Sequence, residues 1–203
     1  LRRWAEMADP SFDFNASFAN FTTNYQLPLN VTQSVRGSRA GELLARCVVE
    51  VGTSSYYTAL KESAEEPVFK AICAKIAADE LRHFKLFYTY MKPYLAEEGI
   101  GLWQRVKVAA GRVIESEDDE LAYAFYAAHP TQEAYERKAS IRRYLACCST
   151  IYRRHHVERM VSMTFKAVGL KPHGRLNGAI NRLAWTAMRL RGASLRRYMP
   201  TAA

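Results

Sequence analysis

No run of apolar residues approaches the roughly 18 that a membrane-crossing helix requires, and no secretory signal stands at the front of the chain. The first residues are Leu1-Arg2-Arg3-Trp4 rather than a Met, so the missing signal carries little weight. Glycine and proline are sparse, at 10 and 7 residues of 203, and the apolar fraction is that of an ordinary globular protein. The four cysteines, Cys47, Cys73, Cys147 and Cys148, have neither zinc-type spacing nor the framework of a small disulfide-stapled domain. A reducing cytoplasm is the simplest reading, with the cysteines as small core residues. Period-two alternation is missing throughout, so no strand is expected. Internal repeats and low-complexity stretches are missing as well.

Acid is absent from one end. After Glu158 there is no Asp or Glu, while Arg159, Lys166, Lys171, Arg175, Arg182, Arg189, Arg191, Arg196 and Arg197 follow. The formal charge of +9 therefore belongs largely to that end, which suggests an acidic partner or surface. No motif supports nucleic-acid binding.

What is present reads as helix. Leu1–Met7 resembles a helix end, and Phe12–Tyr25 a short helix. Residues 26–35 are loop-like. Ser38 to about Lys61 is helical, and Ser63–Pro67 makes a turn. Val68 to about Met91 is helical again, with Pro93 predicted to end it. Ile100–Ala128 is one helix, or two broken near the acidic run 115–120. Thr131 is a plausible N-cap for a long helix reaching about Val168. Gly169–Gly174 is a loop, and a basic amphipathic helix closes the chain within 173–198. The length favours a single domain, 1–203.

Chemistry enters at the second of these helices. Its apolar stripe is Phe69, Ile72, Cys73, Ile76, Phe84, Phe87 and Met91, and Glu80 and His83 fill the gap on the same face. Burying an unpaired carboxylate is costly, so something must compensate it. The preceding helix has Glu50 within its stripe of Leu43, Cys47, Ser54 and Tyr57. Glu50 and Glu80 are equidistant from Glu65, so an antiparallel hairpin sets both at one level, about 22 Å from the turn at 1.5 Å per residue. His83 lies one turn from Glu80. A divalent cation would relieve the repulsion, and a Glu/Glu/His set suits iron or manganese. A lone Glu on one helix with Glu-x-x-His on its neighbour is half of a di-iron bundle site. A buried Glu–His ion pair, or a stripe that is in fact exposed, would produce the same letters.

The stretches Cys47-Val-Val-Glu50-Val-Gly-Thr53 and Ile76-Ala-Ala-Asp79-Glu80-Leu81-Arg82-His83 resemble the soluble acyl-carrier-protein desaturases of the ferritin-like superfamily. The likeness covers about Ala45 to Met91. It implies an all-α, ferritin-like antiparallel bundle with additional C-terminal helices. It implies two iron ions per complete site, with Glu50, Glu80 and His83 as ligands. Thr53 would face the oxygen-binding side, and Asp79 would hydrogen-bond a histidine ligand of the other half-site. On the residues alone, Thr53 could equally bond its own helix backbone, and Asp79 be a solvated charge. The family also has an earlier Glu and an earlier Glu-x-x-His, which this chain lacks ahead of Glu50. The expectation is that about two helices precede Leu1, or that a symmetric homodimer joins two half-sites.

The implied activity is an oxygen-activating di-iron oxidoreductase acting on a fatty-acyl or similar chain, supplied by an electron donor such as ferredoxin. A rubrerythrin-like peroxidase or ferroxidase would share the ligands. A non-catalytic helical interaction protein with a degenerate half-site is the reading from another class. Elsewhere, His155, His156 and Glu158 look like a charged, solvent-facing stretch. Arg175, Arg182, Arg189 and Arg196 recur every seven residues as a basic ridge, with Leu176, Ile180, Leu183, Ala187, Leu190 and Tyr198 as the apolar side. That helix would suit an anionic membrane interface, an acidic acyl-carrier protein, or simply a bundle with a solvated arginine face.

Overall fold

The computed structural model describes residues 1–26, 30, 32, 34–115, 119–129 and 134–199. Among them the structure is all-helical, with no strand. The helices are α1 (Arg2–Ala8), α2 (Phe14–Asn24), α3 (Arg39–Ser63), α4 (Pro67–Glu98), α5 (Leu102–Ile114), α6 (Asp119–Ala128), α7 (Arg137–Ile151), α8 (Arg154–Val168) and α9 (Arg175–Leu195), followed by a 3-10 turn at Arg196–Tyr198. The expected N-cap Thr131, most of the acidic run 115–120 and part of the 26–35 loop lie outside the described residues. Contacts gather in two units. One comprises Leu1–Asn30, Ser116–Thr150 and Leu190–Ala203, and the other Val31–Glu115 and Ile151–Arg189.

The second unit is built on the α3–α4 hairpin. Ser38 caps α3 by accepting the Gly41 N–H at 3.0 Å. Glu66 caps α4 by accepting from Val68 and Phe69 at 2.8 and 2.6 Å, with Pro67 just inside, where its missing N–H costs nothing. Far from that turn, the Glu98 carboxylate accepts the Arg39 and Ala40 N–H groups at 3.1 and 2.9 Å, so the end of α4 caps the start of α3. Between these ends Ser54 Oγ donates to the Ala77 carbonyl at 2.9 Å across the hairpin. Helices α5 and α8 pack on α3, and Leu44, Cys47, Val48, Val51, Phe84, Met91, Ala109, Ala167 and Val168 form the core between them. Gly169 ends α8 at φ +88°, with the Arg105 guanidinium so near that a Cβ would meet its Nη1 at 2.7 Å. The positive φ is what favours glycine here, since the arginine tip can move aside.

The first unit packs α2 on α6 and α1 on α2. Its contacts are largely aromatic: Tyr123 lies 4.7 Å from Tyr135 and 6.3 Å from both Phe21 and Tyr25, centroid to centroid.

Three helix expectations are corrected. Pro93 does not end α4, which continues to Glu98 and stops at Gly99 (φ +62°). The ring sits on the exposed side of the helix, where the lost backbone bond is least costly. The long helix expected up to Val168 is two, α7 and α8, parted at Tyr152-Arg153. The last helix does not bury its predicted apolar side, of which only Ile180 and Tyr198 are half-buried. Leu176, Leu183, Ala187 and Leu190 are exposed, and Asn177, Gly192 and Leu195 are buried. Cys47 and Cys73 are buried as expected, whereas Cys147 and Cys148 are only half-buried.

Candidate metal centre

The buried seam of α4 is Cys73, Ala77, Phe84 and Met91. Glu80 falls inside that seam by helical spacing. Glu50 comes to the same level from α3, because the two capped ends fix the hairpin register. Their side chains keep 14% and 17% of their exposure, Glu50 and Glu80 respectively, whereas His83 keeps 54%. His83 is therefore a rim residue rather than part of the stripe, since its neighbour Phe84 takes the inward position. Its ring folds back over the carboxylates: Nδ1 is 3.0 Å from Glu80 Oε2 and 3.4 Å from Glu50 Oε2. One ligand atom from each of the three residues lies within 4.8 Å of the others, an arrangement that can hold a metal ion.

Electrostatics marks the same place. Burial, and the hydrogen bond and charge of Glu80, push the Glu50 carboxyl from its ordinary 4.5 up to about 7. The hydrogen bond to Glu80 raises the His83 imidazole, against its desolvation. Burial also pushes the adjoining Cys47 thiol up to about 12, and its Sγ points at the Phe84 carbonyl, 4.0 Å away, outside the group of converging ligand atoms.

Thr53 Oγ1 donates to the Val49 carbonyl of its own helix at 3.0 Å. Asp79 pairs with Arg82, and both side chains are exposed. Arg175, Arg182, Arg189 and Arg196 are all exposed on α9 and its following turn.

A second group escaped the sequence reading. His155 and His156 are not a solvent-facing pair: His156 is 1% exposed, and both rings meet Glu62, their Nε2 atoms 2.8 and 3.1 Å from its Oε2. This trio also satisfies the distance condition for a metal, but its hydrogen bonds oppose one. His156 Nδ1 accepts the Arg153 N–H at 3.0 Å, capping α8. With Nδ1 an acceptor, the neutral ring carries its proton on Nε2, which donates to Glu62. Binding a metal through Nε2 would move that proton to Nδ1 and break the cap. The trio is a hydrogen-bonded clamp of α8 on α3, reinforced by Ser55 Oγ, which donates to the His156 carbonyl at 3.1 Å. The available signal was His156 beside Val157, at the start of the apolar face of α8.

Comparison with protein-family models, with curated proteins and with solved structures returns no match. What defines this protein is an all-helical chain with a Glu/Glu/His group positioned to bind a metal. No helix among the described residues is long and apolar enough to cross a membrane.

Proposed function

We propose that this chain supplies one half of the metal centre of a ferritin-like, oxygen-activating di-iron oxidoreductase acting on a fatty-acyl or similar hydrocarbon chain. The observation that carries this reading is the convergence of Glu50, Glu80 and His83 Nδ1 at one level of the α3–α4 hairpin. Two carboxylates and one imidazole are donors that suit iron or manganese, and a lone Glu opposite Glu-x-x-His is the half-site pattern of carboxylate-bridged bundles. The chemistry of the donors fits a cation as well. Burial and then Glu80 push the Glu50 carboxyl up to about 7, and a divalent ion would offset the desolvation and repulsion that keep its proton on.

Bound there, iron would supply oxygen activation and hydrogen abstraction, with electrons from a donor such as ferredoxin. The chain's own residues have definite parts. Glu50 and Glu80 offer oxygens from the half-buried side, and His83 offers Nδ1 from the rim. Cys47 and Phe84 close the core side against water. Thr53 lies one turn beyond Glu50, and its hydroxyl, now on the Val49 carbonyl, can rotate to pass a proton. Asp79 sits beside Glu80 to meet a histidine of the other half-site. That second half would come from another Glu and Glu-x-x-His brought to the same level, as where two copies of the chain meet.

A second reading has an observation of its own. His83 Nδ1 already lies within reach of both carboxylates, so the trio can satisfy itself as an ion-pair cluster in a non-catalytic helical protein. A rubrerythrin-like peroxidase or ferroxidase would use the same ligands without the hydrocarbon substrate.

The test is metal content. The chain is loaded anaerobically with ferrous iron, freed of excess and analysed by mass spectrometry beside a Glu50→Gln, Glu80→Gln double variant. Iron retained by the parent and lost by the variant supports the metal reading, and oxygen uptake that rises with an added acyl chain supports the oxidoreductase. Oxygen uptake on ferrous iron alone favours the ferroxidase. Equal, negligible metal in both proteins leaves the ion-pair cluster.

A further inference from the structure

The α9 segment from Arg175 to Arg189 carries two parallel rows on its outer side. Arg175, Arg182 and Arg189 form one row, and all three are exposed. Leu176 and Leu183, 57% and 66% exposed, form the other. At 100° per residue the rows stand about 100° apart, with the exposed Ala179 and Thr186 between them. The opposite side carries amides. Asn177, 4% exposed, accepts at Oδ1 from Asn181 Nδ2 at 2.8 Å and from Ser162 Oγ of α8 at 3.3 Å. The leucines of this segment face outward. At the other end of the preceding loop, Gly169 lies against the Arg105 guanidinium.

We propose that this face adsorbs to an anionic membrane surface, the leucines entering the acyl boundary and the arginines lying at the headgroups. The charge is complementary, since no Asp or Glu follows Glu158 anywhere in the chain. The layout also selects a planar medium over a protein. Protein interfaces concentrate their binding energy in a central packed cluster. Two parallel rows, one apolar and one cationic, match a surface whose apolar and anionic layers are stacked. None of this depends on the metal reading.

The experiment is co-sedimentation of the 203-residue chain with two kinds of vesicle. One is phosphatidylcholine alone, and the other is an equal mixture of phosphatidylcholine and phosphatidylglycerol. The parent should bind the mixed vesicles and not the neutral ones. Arg182→Gln with Arg189→Gln should weaken binding at low salt by about 30-fold, the contribution of two basic residues at an anionic surface. High salt should shrink that difference. Leu176→Ser with Leu183→Ser should weaken binding at both salts, because the apolar contribution is not screened. The parent alone suffices to overturn the proposal, by ignoring mixed vesicles or by binding neutral ones equally. If soluble polyglutamate binds as tightly as the vesicles do, and the leucine variant matches the parent, the face reads charge alone. Its occupant is then an acidic macromolecule such as a carrier protein.

Discussion

His83 Nδ1 stands 3.4 Å from Glu50 Oε2, joining α4 to α3 across the hairpin at a level where two carboxylates share the interior. Without metal, the cluster is relieved by protons. Burial and Glu80 hold Glu50 at about 7, above its ordinary 4.5. The folded chain therefore keeps a proton that the unfolded chain has lost, and this contribution to stability falls as pH rises from about 4.5 to about 7. His83, raised by Glu80, moves the same way, since its ion pairs are lost as pH climbs through its folded pKa. Glu50→Gln should thus match the metal-free parent near pH 4. By pH 8 it should exceed the parent by on the order of 2 kcal/mol. Denaturant melts in chelator would check this. Manganese or ferrous iron should reverse the order at pH 8, because only the parent gains from binding. A Glu50→Gln variant less stable than the parent at pH 8 in chelator would show that Glu50 is a satisfied structural anion.

The hairpin and its level were legible because they follow from local chemistry. Ser38, the 63–67 turn and the spacing of Glu50 and Glu80 all belong to one continuous hairpin segment and are readable from it. The clamp was not legible. Glu62 meets His155 and His156 from far along the chain, and arginines at 153, 154 and 159 disguise His156 as part of an exposed stretch. The orientation of α9 was hidden for a related reason. Its inward face carries Asn177 and Asn181, polar residues that a hydrophobic pattern assigns to solvent.

Pro93 shows tertiary structure overriding a local rule. Helix α4 runs through it because the helix must deliver Glu98 to the start of α3, where the carboxylate accepts from Arg39 and Ala40. The helix lacks the Pro93 N–H bond in consequence. Pro93→Ala should restore it and stabilise the chain by about 1–2 kcal/mol, net of the added freedom of the unfolded state. Unchanged or reduced stability in a urea titration would show that the proline bend itself brings Glu98 to its cap.

Ser54 is buried against α4 and donates to the Ala77 carbonyl at 2.9 Å. Ser54→Ala should cost about 1 kcal/mol, the net value of such a bond. Ser54→Leu should cost more, roughly 1–3 kcal/mol, because the added volume forces the helices apart at the level next to Glu50 and Glu80. In the leucine variant, metal uptake should fall along with stability. In the alanine variant it should be retained. Retention of metal by a destabilised leucine variant would mean that the metal site tolerates hairpin separation.

The two Glu/His groups make opposite predictions. In the candidate centre the imidazole presents Nδ1 to the carboxylates. His83→Ala should therefore lower manganese affinity by more than about tenfold, the loss that even an outer partner can bring. In the clamp, Nδ1 of His156 is engaged by the Arg153 N–H and Nε2 by Glu62. His156→Gln should leave manganese affinity unchanged, and glutamine at this third position can still accept the capping N–H. Its effect should appear in acid instead. Burial, with the charge of His155, depresses the His156 pKa below its ordinary 6.5, so on acidification the unfolded state takes up that proton first. The parent loses stability as pH falls from 6.5 through the depressed folded value, and His156→Gln should flatten that part of the profile. Glu62, desolvated but lowered overall by the two histidines, gives a further loss at lower pH as its carboxylate protonates. Paired titrations and acid melts of the two variants would decide the matter. If His156→Gln abolishes manganese binding while His83→Ala spares it, the roles of the two groups are exchanged, and the α3–α8 clamp is the metal centre.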